Sequence, residues 1–368
     1  MAASGGGTGG GTSAAGGGGG PAPAAAEQVV YVSGYGPDIH ILDLNTQTGQ
    51  LSARTKLSGG TAPSYMAFSP DKRFAFAINE ADAPNSKAVA FEIDPQDGSL
   101  TMLNSVPTGG SGSPHLAVHP SGKWLAVAHY ASGQVTVIPI NPDGSLGGAS
   151  APDRGPDSSN PCRNAHQAVF DKSGDHLLVP CLGSNYVLQY RFASGKLSYN
   201  SPGTVAVSGG PRHLAFDPQE KHAYVLSEQA SVITWFDYDA ATGTLTNPRS
   251  VNSYERQAGA SAHILVHPNG KWLYASNRRE NSLGLFALDA DAKATPVEFT
   301  TEMVSEPRNF SIDVTGQYLI LTNQASKQNA TAQTVILYRI DAQSGKLSRL
   351  QVVPNGQQPT FSQALVLP

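Results

Sequence analysis

Charge is scarce in this chain. Asp, Glu, Lys and Arg make up 14% of its 368 residues, against roughly 25% in an average globular protein. The 24 basic residues are scattered and are outnumbered by 28 acidic ones, for a formal net charge of −4. With no basic block to neutralise phosphates, a nucleic-acid partner is excluded. No run of about 18 apolar residues occurs, so no membrane span is expected. Cysteine is limited to Cys162 and Cys181, too few for a disulfide-stapled scaffold, and a chain this long can bury its own core. Two buried thiols are the expectation, since buried Cys behaves as a small hydrophobe; pairing stays open if the Cα atoms lie close. A GxSxG elbow, a P-loop and an HExxH zinc pattern are all missing. Hard cations want several carboxylates, and the chain clusters few, so neither metal nor cofactor is expected.

Glycine and proline are plentiful, at 39 and 26 residues. Residues 1–28 hold 11 glycines in their first 20 positions and no charge before Glu27. Such a segment cannot bury apolar surface and reads as a disordered leader. It lacks the basic start and apolar stretch of a secretory signal. A cytoplasmic location is therefore expected, with a periplasmic or secreted one left open should the leader be the remnant of an export segment.

Beyond the leader the chain repeats itself. PSYMAFSP at Pro63, SPHLAVHP at Ser113, NAHQAVFD at Asn164, PRHLAFDP at Pro211, SAHILVHP at Ser261 and PRNFSIDV at Pro307 align without gaps, and PTFSQALV at Pro359 is a weaker seventh. Their third positions, Tyr65, His115, His166, His213, His263, Asn309 and Phe361, are spaced 50, 51, 47, 50, 46 and 52 residues apart. A period near fifty marks repeated units. Each unit reads as four short strands, and the outer turn recurs as DPQDGSL, NPDGSL, NTQTGQL and DAQSGKL. Four antiparallel strands per repeat is the composition of a propeller blade. Six units are complete. The C-terminal FSQALVLP supplies one strand of a seventh, and VVYVSGY, DIHILDL and QLSARTKL near the N-terminus supply the other three. The expected fold is an all-β, seven-bladed β-propeller over residues 29–368, its ring closed by the two chain ends. Closure removes the open edges that invite aggregation, and a monomer is expected.

Propeller geometry places residues just before the first strand and just after the second on one face, near the axis. The first set contains His115, His166, Arg212, His213, His263 and Arg308. The second contains Glu80, Tyr130, Cys181, Glu228, Arg278 and Gln324. The mouth so formed is cationic, which suits a small anionic substrate, since arginine binds carboxylate or phosphate bidentately. His119 and His267 read as turn residues, and His40, His129, His176 and His222 as ordinary ones. Repeated histidines also serve to satisfy backbone groups, and Arg212 with Glu228 also reads as a structural ion pair. If Arg212 is catalytic, its loss abolishes activity and leaves the fold largely intact. If it is structural, its loss strands Glu228 as an unpaired charge.

The segments GGPRHLAFDP…YVLSEQASV, SAHILVHPNGKWLYASNRRENSLGLF and EPRNFSIDVTGQYLILTNQ resemble the seven-bladed lactonase family over about residues 29–368. That family contains bacterial 6-phosphogluconolactonases and fungal carboxy-muconate cyclases. The resemblance implies His166, Arg212, Glu228 and Arg278 as catalytic positions, and His213, His263 and Arg308 as neighbouring substrate-binding ones, with His115 beside them. It implies hydrolysis of a sugar-acid lactone, 6-phosphogluconolactone first, with His166 or Glu228 activating water. A muconate-type cycloisomerase and a non-catalytic binding propeller are the alternatives. The NPCRNAH…VPCLGSNYV stretch is also family-like, which weakens a special role for its cysteines. The loop SKQNATAQ departs from the pattern between two strands of the sixth unit.

Overall fold

The computed structural model describes residues 28–255, 259–325 and 331–368. The Gly-rich leader and residues 326–330 of the SKQNATAQ loop lie outside the described residues. The described chain forms seven antiparallel sheets, six of four strands and one of three. We number the blades from the first complete unit. Blade 4 is representative, with strands Pro211–Phe216, His222–Ser227, Val232–Asp239 and Thr244–Asn252 in spatial order. Blade 7 joins the two ends: Gln28–Gly34 pairs with Pro359–Val366, from Gln28 opposite Val366 to Ser33 opposite Phe361. The ring thus begins one residue earlier than expected. Gln28 is buried and its amide donates to Asp313 at 2.9 Å.

Each blade alternates side chains between its two neighbours, because successive strand residues point to opposite faces. The core is therefore a ring of inter-blade seams. Tyr274 and Leu285 meet Phe310, Leu319 and Leu321 between blades 5 and 6, and Tyr31 and Ile41 meet Met66 and Phe91 between blades 7 and 1. Second-strand tyrosines fasten four of the seven seams at their outer ends. Tyr31 donates to the Gly98 carbonyl of the next blade at 2.6 Å, and Tyr274 to that of Gly345 at 2.6 Å. Both acceptors sit in the repeated outer turn at φ +70°, a conformation glycine adopts without steric cost. At these two turns the glycine serves the turn and receives the neighbour's anchor.

Blade 2 departs from the four-strand expectation. It has three strands, His115–Val118, Trp124–His129 and Gln134–Pro139. Two isolated bridges, Val135 to Asp153 and Ile140 to Leu146, stand in the fourth position. Pro152 lies beside the first and has no N–H to continue the ladder.

Candidate active site

Two bulges build the mouth. In blade 4, Pro211 pairs with Ser227 and His213 with Leu226, leaving Arg212 as an extra residue. In blade 6, Pro307 pairs with Asn323 and Asn309 with Thr322, leaving Arg308 in the same place. A bulge bends its strand and re-aims the side chain beside it. Arg212 and Arg308 line one axial cavity with Glu80, His166 and His213. Arg212, His213, His263 and Arg308 were expected ahead of the first strands; they lie inside them, in Pro211–Phe216, Ser261–Val266 and Pro307–Ile312. His115 begins its strand. Only His166 precedes one, because the inner strand of blade 3 is reduced to Val169–Phe170.

Glu228 lies between two arginines. Its Oε2 is 2.8 Å from Arg212 Nε and its Oε1 is 3.0 Å from an Arg278 terminal nitrogen. The Arg212 Nε–H is not directed along the short separation, so that contact is an ion pair without a well-aligned hydrogen bond. Arg212 is only 2% exposed and also donates to the Ala262 carbonyl. Arg278 Nε donates to the Ala260 carbonyl at 3.1 Å. Arg308 donates to Gln324 Oε1 at 3.3 Å, and its guanidinium lies 5.4 Å over the Tyr35 ring.

Beneath the arginines, the third-position side chains close the axis. Rings are in contact from Tyr65 to His115 at 4.2 Å, His166 to His213 at 5.2 Å and His213 to His263 at 5.0 Å. The Nδ1 atoms of His213 and His263 are 2.8 Å apart, so one ring donates and the other accepts. All four histidines are at most 5% exposed. Burial, and then the charge of Arg212, holds His166 and His213 well below the ordinary imidazole range. His115 and His263 are pushed down to about 3, burial again leading. These rings are neutral at neutral pH.

Burial alone would raise the Glu228 carboxyl. Arg212, Arg278 and Arg308 outweigh it and hold it below the usual carboxylate range. Burial and then Arg278 pull Arg212 down to about 9, which leaves it charged at neutral pH. The mouth therefore sets three guanidinium groups against Glu228 and Glu80. His166 differs from the other axial histidines in having a buried Nδ1 with no hydrogen-bond partner.

Other expectations resolve as follows. Cys162 and Cys181 are not free thiols. They form a disulfide with Cα atoms 5.4 Å apart, because the second strand of blade 3 ends beside the segment leading to its inner strand. His129 is structural, with Nδ1 2.7 Å from Ser113 Oγ and Nε2 2.9 Å from Thr136 Oγ1. His119 and His267 each reach the next blade's turn, at the carbonyls of Gly174 and Gly316. Tyr35 was missed. It follows the second strand of blade 7 as Glu228 follows that of blade 4, so the repeat register itself marks it. Ser64, Asn309 and Thr360 also line the cavity and carry no charge that would have drawn notice.

The profile of the lactonase seven-bladed β-propeller family matches residues 29–363. The chain belongs to that family. Among relatives of this lactonase-family chain, the 6-phosphogluconolactonase of Pectobacterium atrosepticum is 31% identical, covering 93% of this chain and 99% of its own. That of Bacillus subtilis is 26% identical over 87% of this chain and 92% of its own. Among solved structures, the periplasmic gluconolactonase of Pseudomonas aeruginosa superposes with a TM-score of 0.84 at 25% identity, over 93% of this chain and 100% of that one.

Proposed function

We propose that the chain hydrolyses an anionic sugar-acid lactone at the axial mouth, with 6-phosphogluconolactone as the first substrate and 6-phosphogluconate as product. The observation that carries this reading is the convergence of Arg212, Arg278 and Arg308 around Glu228 above a neutral histidine floor. Arg278 and Arg308, the more open guanidiniums, take the phosphate. Arg212, buried and held by Glu228 and Ala262, faces the oxyanion that develops on the lactone carbonyl. His166 accepts a proton from water as that water's oxygen bonds to the acyl carbon. The ring C–O bond then breaks, and the proton passes to the departing ring oxygen, leaving an open-chain carboxylic acid that gives its remaining proton to solvent.

His166 suits the role of base better than Glu228, whose lone pairs are committed to two guanidiniums. Its lowered affinity for protons has two causes, burial and the nearby arginines. An anion docked on those arginines cancels the second and makes the imidazole a stronger base when substrate is present. His166→Gln is expected to lower kcat by about 10²–10⁴-fold, the usual range for a general base, with KM little changed. The free-enzyme base stays unprotonated as pH falls, so kcat/KM of the parent should remain level well below pH 6.5, the ordinary histidine value. Initial rates of lactone loss, corrected for spontaneous hydrolysis, check both. A histidine limb at the ordinary value would contradict the assignment.

A second reading of the substrate is favoured by the disulfide. Such bonds persist in oxidising compartments, and the Pseudomonas neighbour is a periplasmic gluconolactonase. The unphosphorylated lactone in an oxidising compartment is that reading; 6-phosphogluconolactone is the substrate that the names of the curated relatives support. Comparing kcat/KM for the two lactones separates them. Preference for the phosphorylated one that vanishes in Arg308→Gln supports the first reading. Among the described residues no helix is long and apolar enough to cross a membrane. Every proposed site residue comes from one closed ring, so the proposed site needs no residue from a second copy.

A further inference from the structure

We propose that the Cys162–Cys181 disulfide is a positioning device for His166, standing in blade 3 for a hydrogen-bonded tether used in blades 2, 4, 5 and 6. The inference rests on the reading of His166 as the base.

The last residue of the second strand has a recurrent task in this ring. In blade 2, His129 holds Ser113, two residues ahead of His115, at 2.7 Å. In blade 4, Ser227 donates to the Ser208 carbonyl at 2.8 Å. In blade 5, Asn277 accepts from the Ser253 hydroxyl at 2.9 Å, and in blade 6, Asn323 accepts from the Ser305 amide at 3.0 Å. Each contact ties the end of the second strand to the segment that leads into the inner strand. Cys181 occupies this position in blade 3. Its partner, Cys162, lies four residues ahead of His166.

Blade 3 is also where the tether matters most. The inner strands of blades 4, 5 and 6 are six residues long, and this one is two. His166 therefore lacks a continuous ladder. Its backbone is held by one bond to the Pro180 carbonyl at 3.0 Å and by the adjacent isolated bridge between Ala165 and Cys181. Asn164, two residues before it, sits at φ +57°, a left-handed conformation uncommon outside glycine. The imidazole has no side-chain partner at Nδ1 to fix its direction. The path of residues 162–166 is set by the covalent link together with hydrogen bonds around it: Leu182 to Asn164 at 3.1 Å, Gly183 to Arg163 at 2.9 Å and Cys162 to Arg154 at 2.7 Å along the backbone, with the Arg163 N–H donating to Ser184 Oγ at 2.9 Å and the Asn164 side-chain amide to the Tyr130 carbonyl at 3.1 Å; the link is the one covalent member of that set. Both cysteines are buried, which protects the link from casual reduction.

The test is a cycle built from His166→Gln and the double variant Cys162→Ala/Cys181→Ala. The double variant is expected to lose about 10–100-fold in kcat, the scale of an ångström-size misplacement, with KM within about twofold of the parent. In that background His166→Gln should cost less than a tenth of the factor it costs in the parent, because the ring is already out of place. A double variant with parental kcat, in which His166→Gln costs its full factor, overturns the inference. A His166→Gln enzyme with parental kcat in the native background overturns instead the site reading beneath it. Should the double variant not fold, native protein is treated with dithiothreitol, whose dithiol gives two electrons and two protons to the disulfide and closes to its own cyclic disulfide. Turnover should fall as two protein thiols appear and return on reoxidation. Full turnover with two thiols titrated per chain overturns the inference.

Discussion

Arg212→Gln is expected to lower kcat/KM for the lactone by about 10²–10³-fold, the range for losing one preorganised donor from developing negative charge. The same change should lower the melting temperature. The guanidinium is 2% exposed, and its loss leaves the Ala262 carbonyl without that donor, a change that costs about 1–3 kcal/mol. Glu228 is not stranded, because Arg278 remains 3.0 Å away; the penalty thus stays below the about 3–5 kcal/mol of a buried pair broken outright. From sequence, loss of activity and loss of stability stood as competing outcomes for this residue. On the proposed reading the two go together, since the group that lines the cavity is also buried and bonded beneath it. Turnover and thermal unfolding measured on the same preparation decide: parental kcat/KM in the folded fraction removes Arg212 from the chemistry.

Acid should destabilise this protein in the histidine range, well before its carboxylates titrate. His115, His166, His213 and His263 at the axis and His129 at a blade seam are all neutral in the fold, with burial as the leading cause. In the unfolded chain each takes up a proton near pH 6.5. Below that value the unfolded state binds more protons than the native one, so stability falls as pH falls. The contribution is fully present above about pH 6.5 and is lost progressively toward the folded values, about 4 for His129 and about 3 for His115 and His263. The melting temperature should therefore drop steadily between about pH 6.5 and 4.5. A His213→Gln/His263→Gln variant, which removes two of the titrating rings together, should show a shallower slope. A melting temperature that holds level from pH 7 to 5 would contradict the neutral floor.

The ring was legible because its signals are periodic. Aligned first strands and the recurring outer turn placed the blades, and the incomplete ends predicted a closure that the pairing of Gln28–Gly34 with Pro359–Val366 displays. The candidate residues were legible for a related reason. Arg212, Glu228 and Arg278 are charges at repeat positions in a chain that has few, and they do meet. Features that break the period were not legible. Nothing in PRH or PRN shows that Arg212 and Arg308 are extra residues at bulges, because a bulge is defined against its partner strand. Pro152 could have marked the missing fourth strand of blade 2, but one proline in a long loop is a weak sign. The disulfide depends on a Cα separation that spacing in the chain does not determine. Tyr35 was passed over because it is uncharged, although its place in the repeat is that of Glu228.

Lactone opening at the arginine-lined mouth underlies the proposed function. It is tested most directly by following disappearance of 6-phosphogluconolactone and of gluconolactone with purified full-length chain, beside the same buffers without protein. Saturable acceleration over spontaneous opening is expected with at least one of the two, reduced about 10²–10³-fold in kcat/KM in Arg212→Gln. Rates indistinguishable from the buffer alone for both lactones, with the protein shown to be folded, would contradict it.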